Sequence, residues 1–118
     1  MDQHFRHSRR LLNAQDFKNV FSDAQFKSSH RYLLVLAKRN PYNEARLGVI
    51  ISKKNCKRAV DRNRFKRLVR NNFRLSNNNL NTLDIIILAR FGVHKIKNKE
   101  LTEILTKQLF NINQKAQA

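Results

Sequence analysis

The stretch Ala59-Val60-Asp61-Arg62-Asn63-Arg64-Phe65-Lys66-Arg67-Leu68-Val69-Arg70-Asn71-Asn72-Phe73-Arg74 decides the fold. Val60, Phe65, Leu68, Val69 and Phe73 recur at helical spacing on one side. Arg58, Arg62, Lys66, Arg70 and Arg74 return every four residues on another. The pattern predicts a basic amphipathic helix, with Asp61 in the first turn, where the positive end of the helix dipole favours an anion. Before it, Arg46 to Ser52 is an apolar run too short for a typical helix; after it, Asp84 to Ala89 carries Ile85-Ile86-Ile87-Leu88 at its centre. Apolar side chains at consecutive positions mark a strand covered on both faces, so the second run belongs in mid-sheet. The expectation is a strand–helix–strand unit with parallel neighbouring strands, a connection that general rules make right-handed in about 98% of cases.

Outward from this unit, Tyr32-Leu33-Leu34-Val35-Leu36-Ala37 within Arg31 to Lys38 reads as a strand that stops at the Asn40-Pro41-Tyr42-Asn43 turn signal. Its proximity to the 46–52 strand predicts an antiparallel hairpin, with a short extra strand over Gln25 to Ser29. Leu12, Phe17, Val20, Phe21 and Ala24 predict a helix from Asn13 to Ala24, capped by Asn13, with Leu12 stapled to Phe17. Ser76 to Thr82 is a polar, Asn-rich loop. Leu101, Ile104, Leu105, Leu109 and Ile112 form the inner face of a last helix, from Asn98 to Ile112. With no repeat and no dividing linker, residues 1–118 read as one domain of the α+β class. It is an α/β sandwich in the order α-β-β-β-α-β-α around a mixed, mainly antiparallel sheet, with residues 1–9 and 113–118 expected to be flexible.

Composition narrows the function. The chain has 118 residues, 41% of them hydrophobic, and a net charge of +17 from 25 Lys and Arg against 8 Asp and Glu. Only two Gly and one Pro occur, and no apolar run approaches the roughly 20 residues of a spanning helix. The N-terminus lacks the apolar core of a secretory signal, so the cytoplasm is the expected compartment. The lone Cys56 has no disulfide partner and no zinc-ligand pattern; it reads as an incidental reduced thiol in a loop. So strong a positive field attracts polyanions, and nucleic acid is the leading partner. A membrane surface would instead call for a basic amphipathic helix standing free of a core, so no membrane partner is expected. No obligate protein partner is expected either.

From Lys53 to Arg74 ten basic residues face a single acid. Ordinary solvated helix faces mix signs so that neighbours attract; here like charges stack, which points to an anion-binding surface. The candidate nucleic-acid-binding residues are Lys53, Lys54, Lys57, Arg58, Arg62, Asn63, Arg64, Lys66, Arg67 and Arg70. Arginine forks grip phosphate oxygens through paired hydrogen bonds and also stack on bases, and Asn63 can address a base edge or a 2′-hydroxyl. Lys53 and Lys54 are expected to close the preceding strand at the sheet rim. Phe17 and Phe21, four apart, face either the core or a cleft open to unpaired bases. The scattered acids, the spacing of His4, His7, His30 and His94, and the lack of a glycine-rich phosphate loop argue against catalysis by side chains of this protein, and no catalytic or metal-binding residue is assigned. Charge and size alone leave open a stand-alone RNA-binding scaffold, or a DNA-binding module laying the basic helix in a major groove.

The run Ser52 to Arg70 closely resembles the signature of the bacterial ribonuclease P protein component, and Arg10-Leu11-Leu12 through Asp16-Phe17 to Val20-Phe21 is similar to that family's first helix. The resemblance implies a subunit that helps a catalytic RNA recognise precursor tRNA and remove its 5′ leader. The ribonuclease P RNA carries the hydrolysis with bound Mg²⁺, and the protein itself holds no cofactor. It further implies RNA contacts at Arg62, Asn63, Lys66 and Arg70, with Arg64 and Arg67 beside them. A leader cleft between the first helix and the sheet would be lined by Phe17, Phe21 and Leu36. It implies, finally, a left-handed βαβ crossover, against the general rule. Two features depart from the family pattern: Leu34 and Leu36 stand where an aromatic is frequent, and Asn55-Cys56-Lys57-Arg58 lacks the glycine many relatives carry.

Overall fold

The computed structural model describes residues 11–42, 44–76, 80 and 82–117. Helix α1 (Ala14–Ser22) precedes strands β1 (Phe26–Ser29), β2 (Leu33–Arg39) and β3 (Arg46–Ile50). Helix α2 (Ala59–Ser76), strand β4 (Leu83–Ala89), a short 3-10 turn (Val93–Lys95) and helix α3 (Asn98–Gln117) complete the chain, in the expected element order. The expected flexibility of residues 1–9 falls outside the described residues, as do Asn77, Asn78, Asn79 and Asn81 of the Asn-rich loop.

The sheet runs β1-β2-β4-β3, with β1–β2 and β2–β4 antiparallel and β3–β4 parallel. The expected β2–β3 hairpin therefore does not form. Strand β4 lies between the two, pairing Leu36 with Ile86 on one side and Gly48 with Ile86 on the other. The physical reason is β4 itself. Its Ile85, Ile86 and Ile87 are all fully buried, and an edge position would leave one side of so apolar a strand unpaired. At the top of the sheet Asn40 ties the three strands together: its Nδ2 donates to the Asp84 carboxylate at 2.8 Å and to the Glu44 carbonyl at 3.2 Å. Its backbone N–H reaches the carbonyl of Thr82. Thr82 is held at φ 72°, a left-handed conformation rare for a β-branched residue, on the turn that feeds β4 into mid-sheet.

Alternation sorts the two faces. Leu33, Val35 and Ala37 of β2, Leu47 of β3 and Ile85 and Ile87 of β4 point to the main core. There Phe65, Val69 and Phe73 of α2 and Leu101, Leu105, Leu109 and Ile112 of α3 cover them. Helix α3 continues to Gln117, where the periodicity had placed a loose tail after Asn113. Long-range bonds hold the extra turn: Lys115 donates to the carbonyl of Lys27 and Arg39 to that of Ala116, whose methyl packs on the core. The buried Ser28–Gln108 hydrogen bond secures the same helix to β1.

The opposite sheet face carries a smaller cluster, Leu12, Val20 and Ile86, flanked by Phe17, Leu36 and Ile50. Helix α1 starts on a capping box: Asn13 Oδ1 accepts from Asp16 N at 2.9 Å, and the Asp16 carboxylate accepts from Asn13 N at 3.1 Å. It ends at Ser22, short of Ala24. Just before it, Leu12 N donates to Leu47 O at 2.9 Å, so this segment also covers the open edge of β3. Gly48 is required here because a Cβ at that position would lie 2.5 Å from the Phe17 ring. Gly48→Ala is expected to push Phe17 off the sheet and cost about 1–3 kcal/mol, the usual price of overpacking, measurable by urea denaturation. A loss well under 1 kcal/mol would mean that Phe17 does not rest on β3.

Candidate nucleic-acid interface

Strand β3 ends at Ile50, and residues 53–55 form a turn, so Lys53 and Lys54 stand on an exposed loop rather than closing the strand. The loop to α2 folds without glycine. Among the described residues only Thr82 is a non-glycine with positive φ, so Asn55-Cys56-Lys57-Arg58 needs no left-handed residue. It is closed instead by side chains. Ser52 Oγ accepts from Asn55 N at 3.1 Å, Asn55 Nδ2 donates to the carbonyl of Ala89 at 3.3 Å, and Arg62 Nη1 donates to the carbonyls of Cys56 and Lys57 at 2.9 and 2.7 Å.

Cys56 is a free thiol in this loop, as its sequence context suggested, but it is not incidental: 1% exposed, it is the loop's apolar plug. Burial, aided by the charge of Asp61, pushes its thiol above the ordinary value of 9.0, against the opposing pull of Arg62 and Arg64. The folded protein therefore favours the protonated thiol. That preference contributes stability below pH 9.0 and is lost as pH rises through the elevated native value. Iodoacetamide at pH 8 is expected to label native Cys56 at least about 100-fold more slowly than the urea-unfolded chain, since the thiolate is the reacting form. Equal rates would refute the burial.

Along α2 the cations divide into two groups. Arg64 is turned inward: Nη1 donates to the carbonyl of Ile96 at 3.1 Å and to Asn98 Oδ1, and Nη2 donates to the carbonyl of His94 at 3.2 Å. It anchors α2 to the start of α3, and Arg62 anchors α2 to its own preceding loop, so both arginines shape the face as well as lie on it. Arg58 approaches Asp61 at 4.0 Å. By contrast, Lys53, Lys54, Lys57, Lys66, Arg67 and Arg70 make no ion pair or side-chain hydrogen bond among the described residues, and exposed Asn63 likewise has no partner. Three of the acids are held by other cations: Asp16 and Asp84 by Arg46, Asp23 by Lys38.

Between α2 and the segment preceding α1 lies a hollow of about 270 Å³ with a floor of Leu11, Leu47 and Phe73 and a rim of Arg67, Arg70, Asn71 and Arg74. Guanidinium forks over an apolar floor can grip a phosphate while a sugar or base rests beneath. Sequence reasoning left Asn71 and Arg74 out of the binding set; the signal for Arg74 was the four-residue repeat that already ran to it, and Asn71 had none. Their mutual bond, Arg74 Nη2 to Asn71 Oδ1 at 2.8 Å, fixes that end of the rim.

The second site follows from the shortness of α1. Nine residues span about 13 Å and cannot cover a four-stranded face. Leu34 and Leu36 of β2 and Leu88 of β4 are left half-buried, forming an apolar trough beside the helix. Phe17 and Leu36 meet in the α1 cluster, while Phe21 stands at the rim, 47% exposed.

What holds α1 beside this trough is an ionic cluster that the sequence reading did not single out. Arg46 donates to both Asp84 oxygens at 2.8 and 2.7 Å and to both Asp16 oxygens at 3.2 Å, with the Tyr42 ring 4.7 Å away. The bond to Asp84 leads in raising the Arg46 pKa further, against burial. The available signal was Asp84, an acid opening a strand that is otherwise apolar on both faces.

No group of three or more His, Cys, Asp or Glu gathers to hold a metal among the described residues, and no helix there is long and apolar enough to cross a membrane. Chemically, the molecule offers a cationic helix face and an apolar trough on opposite sides of one sheet, suited to a phosphate backbone and to unpaired bases.

Comparison with known proteins places the chain in a family. The family model described as Ribonuclease P matches residues 5–113. The ribonuclease P protein component of Chromohalobacter salexigens is 51% identical over 100 residues, covering 85% of this chain and 78% of that one. Among solved structures, the RNase P protein of Staphylococcus aureus superposes with a TM-score of 0.75 at 25% identity, covering 91% of this chain and 94% of that one. The RNase P protein of Thermotoga maritima gives 0.69 at 25% identity, over 87% and 94% of the two chains. With the family model matching residues 5–113, a relative 51% identical over 85% of this chain and a solved structure superposing over 91% of it, the chain belongs to the ribonuclease P protein family.

Proposed function

We propose that this chain is the protein subunit of the ribonuclease P endoribonuclease, assisting a catalytic RNA in removing the 5′ leader of precursor tRNA in the bacterial cytoplasm. One observation carries the reading. Six cations of α2 and its preceding loop, Lys53, Lys54, Lys57, Lys66, Arg67 and Arg70, have no ion pair or side-chain hydrogen bond among the described residues, while Asp16, Asp23 and Asp84 are held by Lys38 and Arg46. Lys53, Lys54, Lys57, Lys66, Arg67 and Arg70 contact the phosphates of the RNA subunit. Arg58, Arg62 and Asn63 lie beside them, and Arg64 positions the helix. The single-stranded leader lies in the trough beside α1, against Phe17, Phe21 and Leu36. The hydrolytic Mg²⁺ is bound by the RNA, and the protein contributes by neutralising phosphate repulsion where the two RNAs meet, which lowers the need for bulk cation.

The test is reconstitution: the purified chain is mixed with a bacterial ribonuclease P RNA at low Mg²⁺, and 5′ cleavage of a precursor tRNA is followed beside RNA-alone and protein-alone controls. Restored cleavage supports the reading; binding without any change in cleavage reduces the chain to a general RNA-binding protein. The leader assignment has its own check. Phe21 is half-exposed, so Phe21→Ala is expected to leave the fold intact and weaken holoenzyme affinity for leader-bearing precursor about three- to tenfold, with affinity for mature tRNA unchanged. Equal weakening for both would remove Phe21 from the leader path.

A further inference from the structure

At the carboxyl ends of the parallel strands β3 and β4, the loop before α2 faces the turn before α3 across a hollow of about 380 Å³. That volume lies in the range of small-molecule sites, about 300–1,000 Å³. Lys54, Lys57, Arg58 and Lys95 surround it, and Phe91 and His94 form its wall. Phe91 is 69% exposed and stands edge-on to the imidazole of His94, ring centroids 6.4 Å apart and planes at 76°.

This exposed ring sits on a rigid support. Gly92, at φ 94°, turns the chain beneath it, where a Cβ would come within 3.1 Å of the Tyr32 ring. The Arg64 guanidinium holds the carbonyls of His94 and Ile96 just beyond. A large aromatic held in water by a pinned turn loses the burial its surface would favour, and an apolar face ringed by cations complements a nucleotide: the ring for a base, the ammonium and guanidinium groups for its phosphate.

We propose that this hollow binds one unpaired nucleotide of the ribonuclease P RNA, its base stacked on Phe91 and its phosphate among Lys54, Lys57 and Arg58. The proposal rests on the reading of the chain as that RNA's protein subunit. The RNA subunit is the indicated source because Asp61, in the first turn of α2, also lines the hollow, which makes it continuous with the cationic helix face. The proposed leader trough lies on the opposite face of the sheet, beside α1.

The experiment uses the full chain assembled with a bacterial ribonuclease P RNA, probing the RNA by 2′-hydroxyl acylation and measuring affinity across a salt series. The expected result is an unpaired nucleotide of the RNA subunit that is protected by the unaltered chain and becomes reactive again with Phe91→Ala, together with roughly tenfold weaker binding. The log–log salt slope should stay unchanged, because no charge is removed. Phe91→Trp should restore protection and affinity, and Phe91→Leu should not, since it keeps the apolar surface without the π-face. The proposal is overturned if Phe91→Ala leaves protection and affinity unchanged while loss of the α2 cations still weakens binding, a result that leaves the subunit reading standing. It is equally overturned if the Phe91-dependent protection lies in the precursor tRNA. If the unaltered chain fails to bind the RNA at all, the subunit reading falls and this proposal with it.

Discussion

Asp84→Ala is expected to destabilise the protein by about 3–5 kcal/mol, the usual cost of removing one partner from a buried charge pair. The carboxylate is nearly buried and accepts two bonds from Arg46 and one from Asn40, so its removal takes the two shorter bonds from the guanidinium, leaves it only the 3.2 Å bonds to Asp16, and frees the turn before β3. For a domain of this size the melting midpoint should fall by about 10–20 °C. Two controls separate the causes. Asp16→Ala removes longer bonds plus a helix cap and should cost less, about 1–2 kcal/mol. Adding Arg46→Met to Asp84→Leu should recover part of the loss, because it also removes a partly buried cation that has lost its better partner. Thermal and urea unfolding of the three variants checks this, and a loss below 1 kcal/mol for Asp84→Ala would mean that the cluster does not hold α1. Because Arg46 joins the sheet to α1 through Asp16, the same variant should also weaken leader binding at temperatures where it remains folded.

The second large effect is electrostatic. Replacing Lys66, Arg67 and Arg70 together by alanine is expected to leave the fold unchanged, since none of the three has a protein partner among the described residues and none belongs to the core. Binding to the ribonuclease P RNA should fall by about 10²–10⁴, from three lost charge-assisted contacts of roughly 1–2 kcal/mol each. The distinguishing sign is the salt dependence. Each phosphate contact contributes about 0.7–0.9 to the log–log slope, so the triple variant should lose about two to three units. Affinity measured at several salt concentrations decides it: a weakened complex with an unchanged slope would place these cations outside the phosphate interface.

Much of this was legible in the chain. The four-residue repeat of arginine and lysine marked α2 and its cationic face, and Ile85-Ile86-Ile87 marked β4 as central, because both signals depend only on local periodicity and on which residues tolerate water. Asn13 as a cap was readable for the same reason: its partner, Asp16, lies three residues away. The hairpin between β2 and β3 was a misreading born of proximity along the chain. Local rules favour pairing neighbours, yet β4, distant in sequence, gains more by burying both faces and satisfying both edges between them. The last turn of α3 was unreadable because it is stabilised by Lys27 and Arg39, far upstream.

The same boundary runs through the functional site. Composition and periodicity by themselves pointed to a polyanion as partner and determined which helix presents the charge. Tertiary structure alone decided which cations stay available. Arg64 and Lys66 read alike in sequence, but one is spent on the carbonyls of His94 and Ile96 while the other has no partner among the described residues. It decided too that Arg46, Asp84 and Asp16 meet, that Phe17 rests on Gly48, and that Phe91 faces the loop cations, since each contact joins residues from different elements. Periodicity records which side of an element avoids water; only packing determines what that side meets.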